Sequence, residues 1–315
     1  MPAAVGLSCV AALITAVAAC AGAFLARGTT AVPAAWWACG AAVAFAIESA
    51  VRASGGLVDP ASQASARLAV VAVSLCPIMS LLGAKRPQHG VWQFIVASLA
   101  GIVALPAASA ALVRPGSPPD VHALQRWFML ALVLVAAMNF AATRHGVAAV
   151  MVAVGQVILL RQFLPFVESV GQQGATLDAV AAWLVASGAM VAAAQSWLRQ
   201  AQRRVVGSEV AQVATRHDGQ ADLAAFGTAY LALRETLGAA WTLRIAERFN
   251  GVAESRGWPC RLRFDGLHVG GDPADREWHA DAIRTGRALL RRFVSPAWMR
   301  RHAAMLKTCE NRPGE

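Results

Sequence analysis

The residues of this chain that could grip or transfer a chemical group are few, and most sit at the ends of long apolar runs. Lys85-Arg86-Pro87-Gln88-His89-Gly90 is a compact polar turn. Its two adjacent cations and imidazole can hold an anionic headgroup or phosphate, or serve as a positively charged anchor around a Pro-Gly turn. The second dense element is Arg291-Arg292-Phe293-Val294-Ser295-Pro296-Ala297-Trp298-Met299-Arg300-Arg301-His302. Arg291, Arg292, Arg300 and Arg301 suit docking on anionic lipid, with Trp298 at the headgroup level and each cation contributing about 1 kcal/mol near the surface. The competing reading is an arginine-rich solvated helix face whose aromatics turn to a core.

Within the apolar runs, no Asp, Glu, Lys, Arg or His falls at a midpoint. That counts against an ion-coupled pump, which needs intramembrane ionisable groups. Glu48 comes nearest and reads as an interfacial carboxylate facing water. Gln93, Asn139, Gln156 and Gln195 lie inside runs, where they can bond helices together or line a substrate path. His89, His122 and His145 stand at run ends, unsuited to a bis-histidine haem. Val269-Gly270-Gly271-Asp272 is too short for a phosphate loop and lacks its Lys. No HExxH, GxSxG or paired-carboxylate motif occurs. The six cysteines, Cys9, Cys20, Cys39, Cys76, Cys260 and Cys309, form no CxxC or CxxH pair, so neither a zinc finger nor a disulfide framework is expected. No catalytic residue, cofactor or metal ligand is assigned.

The elements that must position these residues follow from charge spacing. Hydrophobic residues make up 57% of the chain and charged residues 15%, where a soluble domain carries about a quarter charged. Residues 1–198 hold only 9 Lys+Arg and 5 Asp+Glu; residues 199–315 hold 19 and 13. A helix needs roughly 20 apolar residues to cross the hydrocarbon core. Charge-free runs cover Met1–Ala26, Gly28–Ile47, Leu68–Ala84, Pro87–Val113, Trp127–Thr143, His145–Leu160 and Ala179–Leu198. The spacing therefore predicts an all-α transmembrane bundle of about seven helices, with the 16-residue sixth run the shortest. Pro77 and Pro106 are expected to kink their helices. Val17-Ala18-Ala19-Cys20 resembles a lipoprotein cleavage box, but no basic residue precedes the apolar stretch, so an uncleaved first span is expected.

Residues 1–198 thus read as a transmembrane domain, 199–221 as a polar connector and 222–315 as a small, mostly helical α+β domain. In the last, Phe226, Tyr230, Leu233, Leu237, Trp241, Ile245, Phe249 and Val252 make one apolar stripe at helical spacing. Gly257-Trp258-Pro259 ends it, Cys260–Asp265 alternates like a half-buried strand, and Asp272-Pro273 and Ser295-Pro296 each open a helix.

With seven spans, one side holds Arg27, Lys85, Arg86, Arg144, Arg199, Arg203 and Arg204, and the other Arg52, Arg67, Arg114, Arg126 and Arg161. Cytoplasmic loops carry the cationic excess, so the C-terminal domain is expected in the cytoplasm. All five acidic residues of the membrane part, Glu48, Asp59, Asp120, Glu168 and Asp178, fall on the second side. The net charge of +10 then points to anionic headgroups rather than nucleic acid.

The run Cys76-Pro77…Gly83-Ala84-Lys85-Arg86-Pro87-Gln88…Trp92-Gln93, with Trp241…Arg248-Phe249-Asn250…Gly257-Trp258-Pro259 in the tail, resembles uncharacterised bacterial membrane proteins of the planctomycete type. The similarity covers most of the chain and implies no activity. The functional expectation is a multi-pass protein of the bacterial inner membrane, an accessory or scaffold protein whose basic tail engages anionic lipid or a membrane-protein partner. Its alternatives are a transporter or channel for a small neutral or lipidic substrate, and a lipid-modifying membrane enzyme.

Overall fold

The computed structural model describes residues 2–83, 89–164, 174–213, 219–270 and 277–302. It is mostly helical and divides into two units: Met1–Ala26 with Ala31–Ser196, and Arg27–Thr30 with Trp197–Glu315.

The first unit is built from α1 (Pro2–Leu25), α2 (Val32–Ala53), α3 (Pro60–Ser74), α4 (Cys76–Leu82), α5 (His89–Leu112), α6 (Ala123–Ala141), α7 (Gly146–Leu160) and most of α8 (Gly174–Val213). Counting α3 and α4 as one span, seven helices are long and apolar enough to cross a membrane; the shortest, Gly146–Phe163, has 18 residues. At 1.5 Å per residue that is about 27 Å, close to the hydrocarbon thickness. Leu13, Val17, Phe94, Ile102, Leu105 and Met138 point outward and exposed, a surface that water would penalise and acyl chains would not. The third span, Pro60–Leu82, is the most enclosed. It breaks at Leu75 because Pro77 has no N–H to give the Val73 carbonyl, which accepts from Leu75 instead. Pro106, by contrast, stays inside α5 without ending it.

Small residues let the helices approach closely. Ala11 and Ala12 of α1, Phe45 of α2, Val70 of α3, Leu159 of α7 and Ala181, Ala182 and Ala186 of α8 form one buried cluster. A Cβ placed on Gly155 would stand 2.8 Å from the Ala181 carbonyl oxygen, and one on Gly188 would stand 2.8 Å from that of Ala148.

The second unit contains α9 (Gly219–Leu237), α10 (Ala239–Ser255), β1 (Cys260–Arg263), β2 (Gly266–Val269), α11 (Glu277–Leu290) and α12 (Pro296–His302). The apolar stripe is buried, from Phe226 to Phe249, but it runs over two helices rather than one. Gly238, at φ 75°, separates them. Leu237 and Trp241 keep a helical spacing across that break, which hid it in the sequence. Phe226 stacks on Phe249 at 5.5 Å and packs against the bare backbone of Gly286.

The expected strand is β1, with Cys260 and Leu262 inward and Arg261 and Arg263 outward. Its partner β2 pairs antiparallel, Cys260 opposite Val269 and Arg263 opposite Gly266. Asn250 ties α10 to the hairpin by donating to the Leu262 carbonyl (2.8 Å) and accepting its N–H (2.7 Å).

Arg27–Thr30 completes this unit. Thr29 bridges to Val294, Thr30 N–H donates to the Phe293 carbonyl (2.8 Å), and Ser295 N–H donates to that of Gly28 (2.7 Å). Gly28 sits at φ +87° with Ser295 and Trp298 against its Cα, a place few other residues could take.

Candidate functional site

The α2–α3 end of the first unit holds five ionisable side chains in mutual contact. Glu48 and Arg52 share one face of α2, four residues apart. Asp59 caps α3 by accepting from Ser62 N–H at 3.0 Å, with Pro60 in the first turn, so the helix starts two turns before Arg67. Asp178 lies one turn into α8, and Arg161 opens the 3-10 turn Arg161–Phe163 that follows α7.

Glu48 is 4% exposed and Arg67 3%. Arg67 donates from Nη2 to both Glu48 oxygens (3.0 and 3.2 Å) and to Asp178 Oδ2 (3.2 Å). Arg52 bridges the same carboxylates, with Nη2 on Glu48 and Nη1 on Asp178 at 2.7 Å. Arg161 holds Asp178 Oδ1 at 2.6 Å and also donates to the Ile158 and Gly174 carbonyls. The Phe45 ring lies under the Arg67 guanidinium, 5.7 Å from its centroid.

Burying one such charge alone costs several kcal/mol, and mutual pairing offsets it only when the hydrogen bonds are satisfied. Here both carboxylates are well supplied. Among these five residues, however, three guanidiniums face two carboxylates, and the Arg52 Nε has neither a partner nor access to solvent. A shallow recess opens beside them, lined in part by Ser8, Ser49, Arg52 and Arg67.

Glu48 is therefore not the water-facing interfacial carboxylate expected from its place near a span end. It is enclosed because α3 and α8 bring Arg67 and Asp178 onto it. The sequence carries the signal: with seven spans, Arg52, Arg67, Arg161, Glu48 and Asp178 all fall on one side, and opposite charges at the same end of neighbouring apolar helices find one another.

The uncharged polar residues are spent on separate helix pairs. Gln93 accepts from Trp37 Nε1 (2.8 Å) and bonds Ser80. Gln156 donates to the Ser74 carbonyl (3.2 Å), and Gln195 pairs with His145 Nδ1 (3.0 Å). Asn139 is buried. Trp92, near the start of α5, donates to the Met79 carbonyl at 2.9 Å.

Of the residues singled out in the sequence, Lys85 and Arg86 lie outside the described residues, as does the side chain of His89, where α5 begins. Arg291, Arg292, Arg300 and Arg301 are exposed. Trp298 is 2% exposed and stacks on His302 at 3.9 Å. It is thus a core residue of the second unit, anchored under Gly28, and does not stand at a headgroup level. The arginines form a cationic surface without it, and Arg301 also donates to the Arg27 carbonyl.

In the same unit, burial pushes the Cys260 thiol up to about 11, and the hydrogen bond from His268 holds the exposed Asp265 below the usual carboxylate range. Among the described residues, no group of three or more His, Cys, Asp or Glu is placed to hold a metal ion. Neither a family model, nor a curated protein, nor a solved structure matches the chain.

Proposed function

We propose that the protein is a multi-pass bacterial inner-membrane scaffold or accessory protein, whose basic cytoplasmic unit engages a membrane-protein partner or anionic lipid. The observation carrying this reading is how the polar groups between helices are used. A transporter needs them converging on one cavity. Here Gln93, Gln156 and Gln195 are dispersed over three different helix contacts and bonded within each. The ionisable groups gather at one end, locked to one another. Such a bundle suits holding a position rather than opening a path.

The orientation rests on the cationic excess on the side of the tail. The packing of Arg27–Thr30 within the C-terminal unit supports the seven-span count rather than the choice of side. The loop after the first span and the tail must then share a side, as an odd number of spans requires.

The test pairs two measurements on the full chain. Purified from native membrane, it is expected to bring down a defined protein or lipid, and to lose it when Arg291, Arg292, Arg300 and Arg301 are changed to Gln. Reconstituted in vesicles, it is expected to pass neutral solutes and flip lipid no faster than protein-free vesicles. Protein-dependent flux would replace this reading with the transporter.

A further inference from the structure

The charge balance at the α2–α3 end of the bundle points to a ligand. We infer that Arg52, with Arg67 behind it, forms a binding site for one phosphate-type anion, either the phosphodiester of an anionic lipid headgroup or free phosphate. This site is separate from the arginines of the tail, and it rests on the multi-pass reading above.

Three observations carry it. Glu48 and Asp178 supply two negative charges to the three positive charges of Arg52, Arg67 and Arg161. The described cluster therefore holds one uncompensated positive charge in a place where Arg67 is all but sealed from solvent. An excess charge there is costly, and one monoanion removes it. Next, the Arg52 Nε is buried without a hydrogen-bond partner while both of its Nη atoms are engaged. Turned outward, a guanidinium gives just such a remaining N–H to phosphate. Finally, the recess beside Arg52, which Glu48 and Asp178 also line, brings the Ser49 hydroxyl to the same spot, while the Ser8 hydroxyl donates to the Ala4 carbonyl at 3.1 Å; hydroxyl and guanidinium donors together are what a phosphate oxygen accepts from.

Depth fits a headgroup. Glu48 lies five residues before the end of α2, Arg67 seven after the start of α3, and Asp178 four after the start of α8. At 1.5 Å per residue these are roughly 6–10 Å inside the helix ends, a distance an arginine spans by reaching outward to the phosphate level. The Arg161 guanidinium, already bonded to Asp178 and two carbonyls, is left to hold the carboxylate while Arg52 meets the anion.

The experiment uses the full chain in mixed micelles of neutral detergent and phosphatidylcholine, with thermal unfolding as readout. Phosphatidylglycerol is titrated in one arm and inorganic phosphate in another. Phosphatidylglycerol is expected to raise the unfolding temperature in a saturable way. Arg52→Gln, which leaves two cations on two carboxylates and so should fold, is expected to bind at least about tenfold more weakly. Arg114→Gln, at an exposed cation outside both this cluster and the tail, should leave the effect intact. If inorganic phosphate alone gives the full shift, the site holds and its ligand is the free anion. The proposal is overturned if neither anion stabilises, if Arg52→Gln responds like the unmodified chain, or if Arg114→Gln abolishes the effect. Retention of the chain in the membrane after alkaline carbonate washing, scored in parallel, keeps a failure of this site distinct from a failure of the membrane reading.

Discussion

Replacing Glu48 with Gln should damage the fold far more than replacing Arg52 with Gln, although Arg52 makes as many ion pairs. The first change is isosteric, so no cavity contributes. It takes the buried cluster from one excess positive charge to two, and leaves Arg67 with the 3.2 Å contact to Asp178 as its only ion pair. Removing one partner of a buried pair costs about 3–5 kcal/mol, a factor of roughly 150 to 5,000 in the folding equilibrium. Arg52→Gln instead brings the cluster to neutrality and leaves Glu48 with Arg67, and Asp178 with Arg67 and Arg161. Its cost should stay near about 1 kcal/mol, the worth of an ordinary hydrogen bond. Adding Arg67→Met to Glu48→Gln removes the stranded cation and should recover about half of the loss. Unfolding free energies from denaturing-detergent titration, followed by tryptophan fluorescence, give all four values. If Glu48→Gln lies within about 0.5 kcal/mol of the unmodified chain, or costs less than Arg52→Gln, the charge argument fails.

Three further outcomes are expected. Gly28→Val forces a β-branched side chain to φ +87° and against Ser295 Oγ at 2.8 Å; it should cost the second unit about 2 kcal/mol or more, read as faster proteolysis of the tail. Gly155→Val should destabilise the α7–α8 contact by about 1–3 kcal/mol, whereas Gly40→Ala, with open space around it, should be neutral or stabilising by up to about 1 kcal/mol; the same detergent titration separates them. Cys260 is held protonated by burial up to about pH 11, against 9.0 for a free thiol. Because the folded value is the higher one, its contribution to stability is whole below pH 9 and is lost as the pH rises towards 11. Peptide mapping after alkylation at pH 8.5 should find native Cys260 at least tenfold slower than in the denatured chain, a margin that buried thiols generally exceed.

The spans were legible because lipid imposes a simple rule: a charge-free run long enough to cross, seven times over. The strand Cys260–Arg263 was legible from its alternation. What escaped depends on tertiary contact. The stripe from Phe226 to Val252 is continuous in spacing, and only the positive φ at Gly238 divides it. Residues 199–213, polar enough to pass for a connector, continue α8, since a helix needs no apolar face to extend from one already nucleated. The strand β2 is too short and too exposed to carry a pattern. At the ion cluster, each charge taken alone looks like a span boundary. Only the pairing of α2, α3 and α8 turns Glu48, Arg67 and Asp178 into one buried group. Trp298 could be read either way from its cationic neighbours, and the packing of Gly28 against it decides for the core.

The most direct test of the central claim is the side of the membrane reached by the α2–α3 loop and by the tail. A reporter inserted in the α2–α3 loop and another fused after Glu315 should report opposite sides, with the latter active in the cytoplasm. A reporter after Glu315 active only in the periplasm, or both reporters on one side, would contradict the seven-span cytoplasmic-tail arrangement.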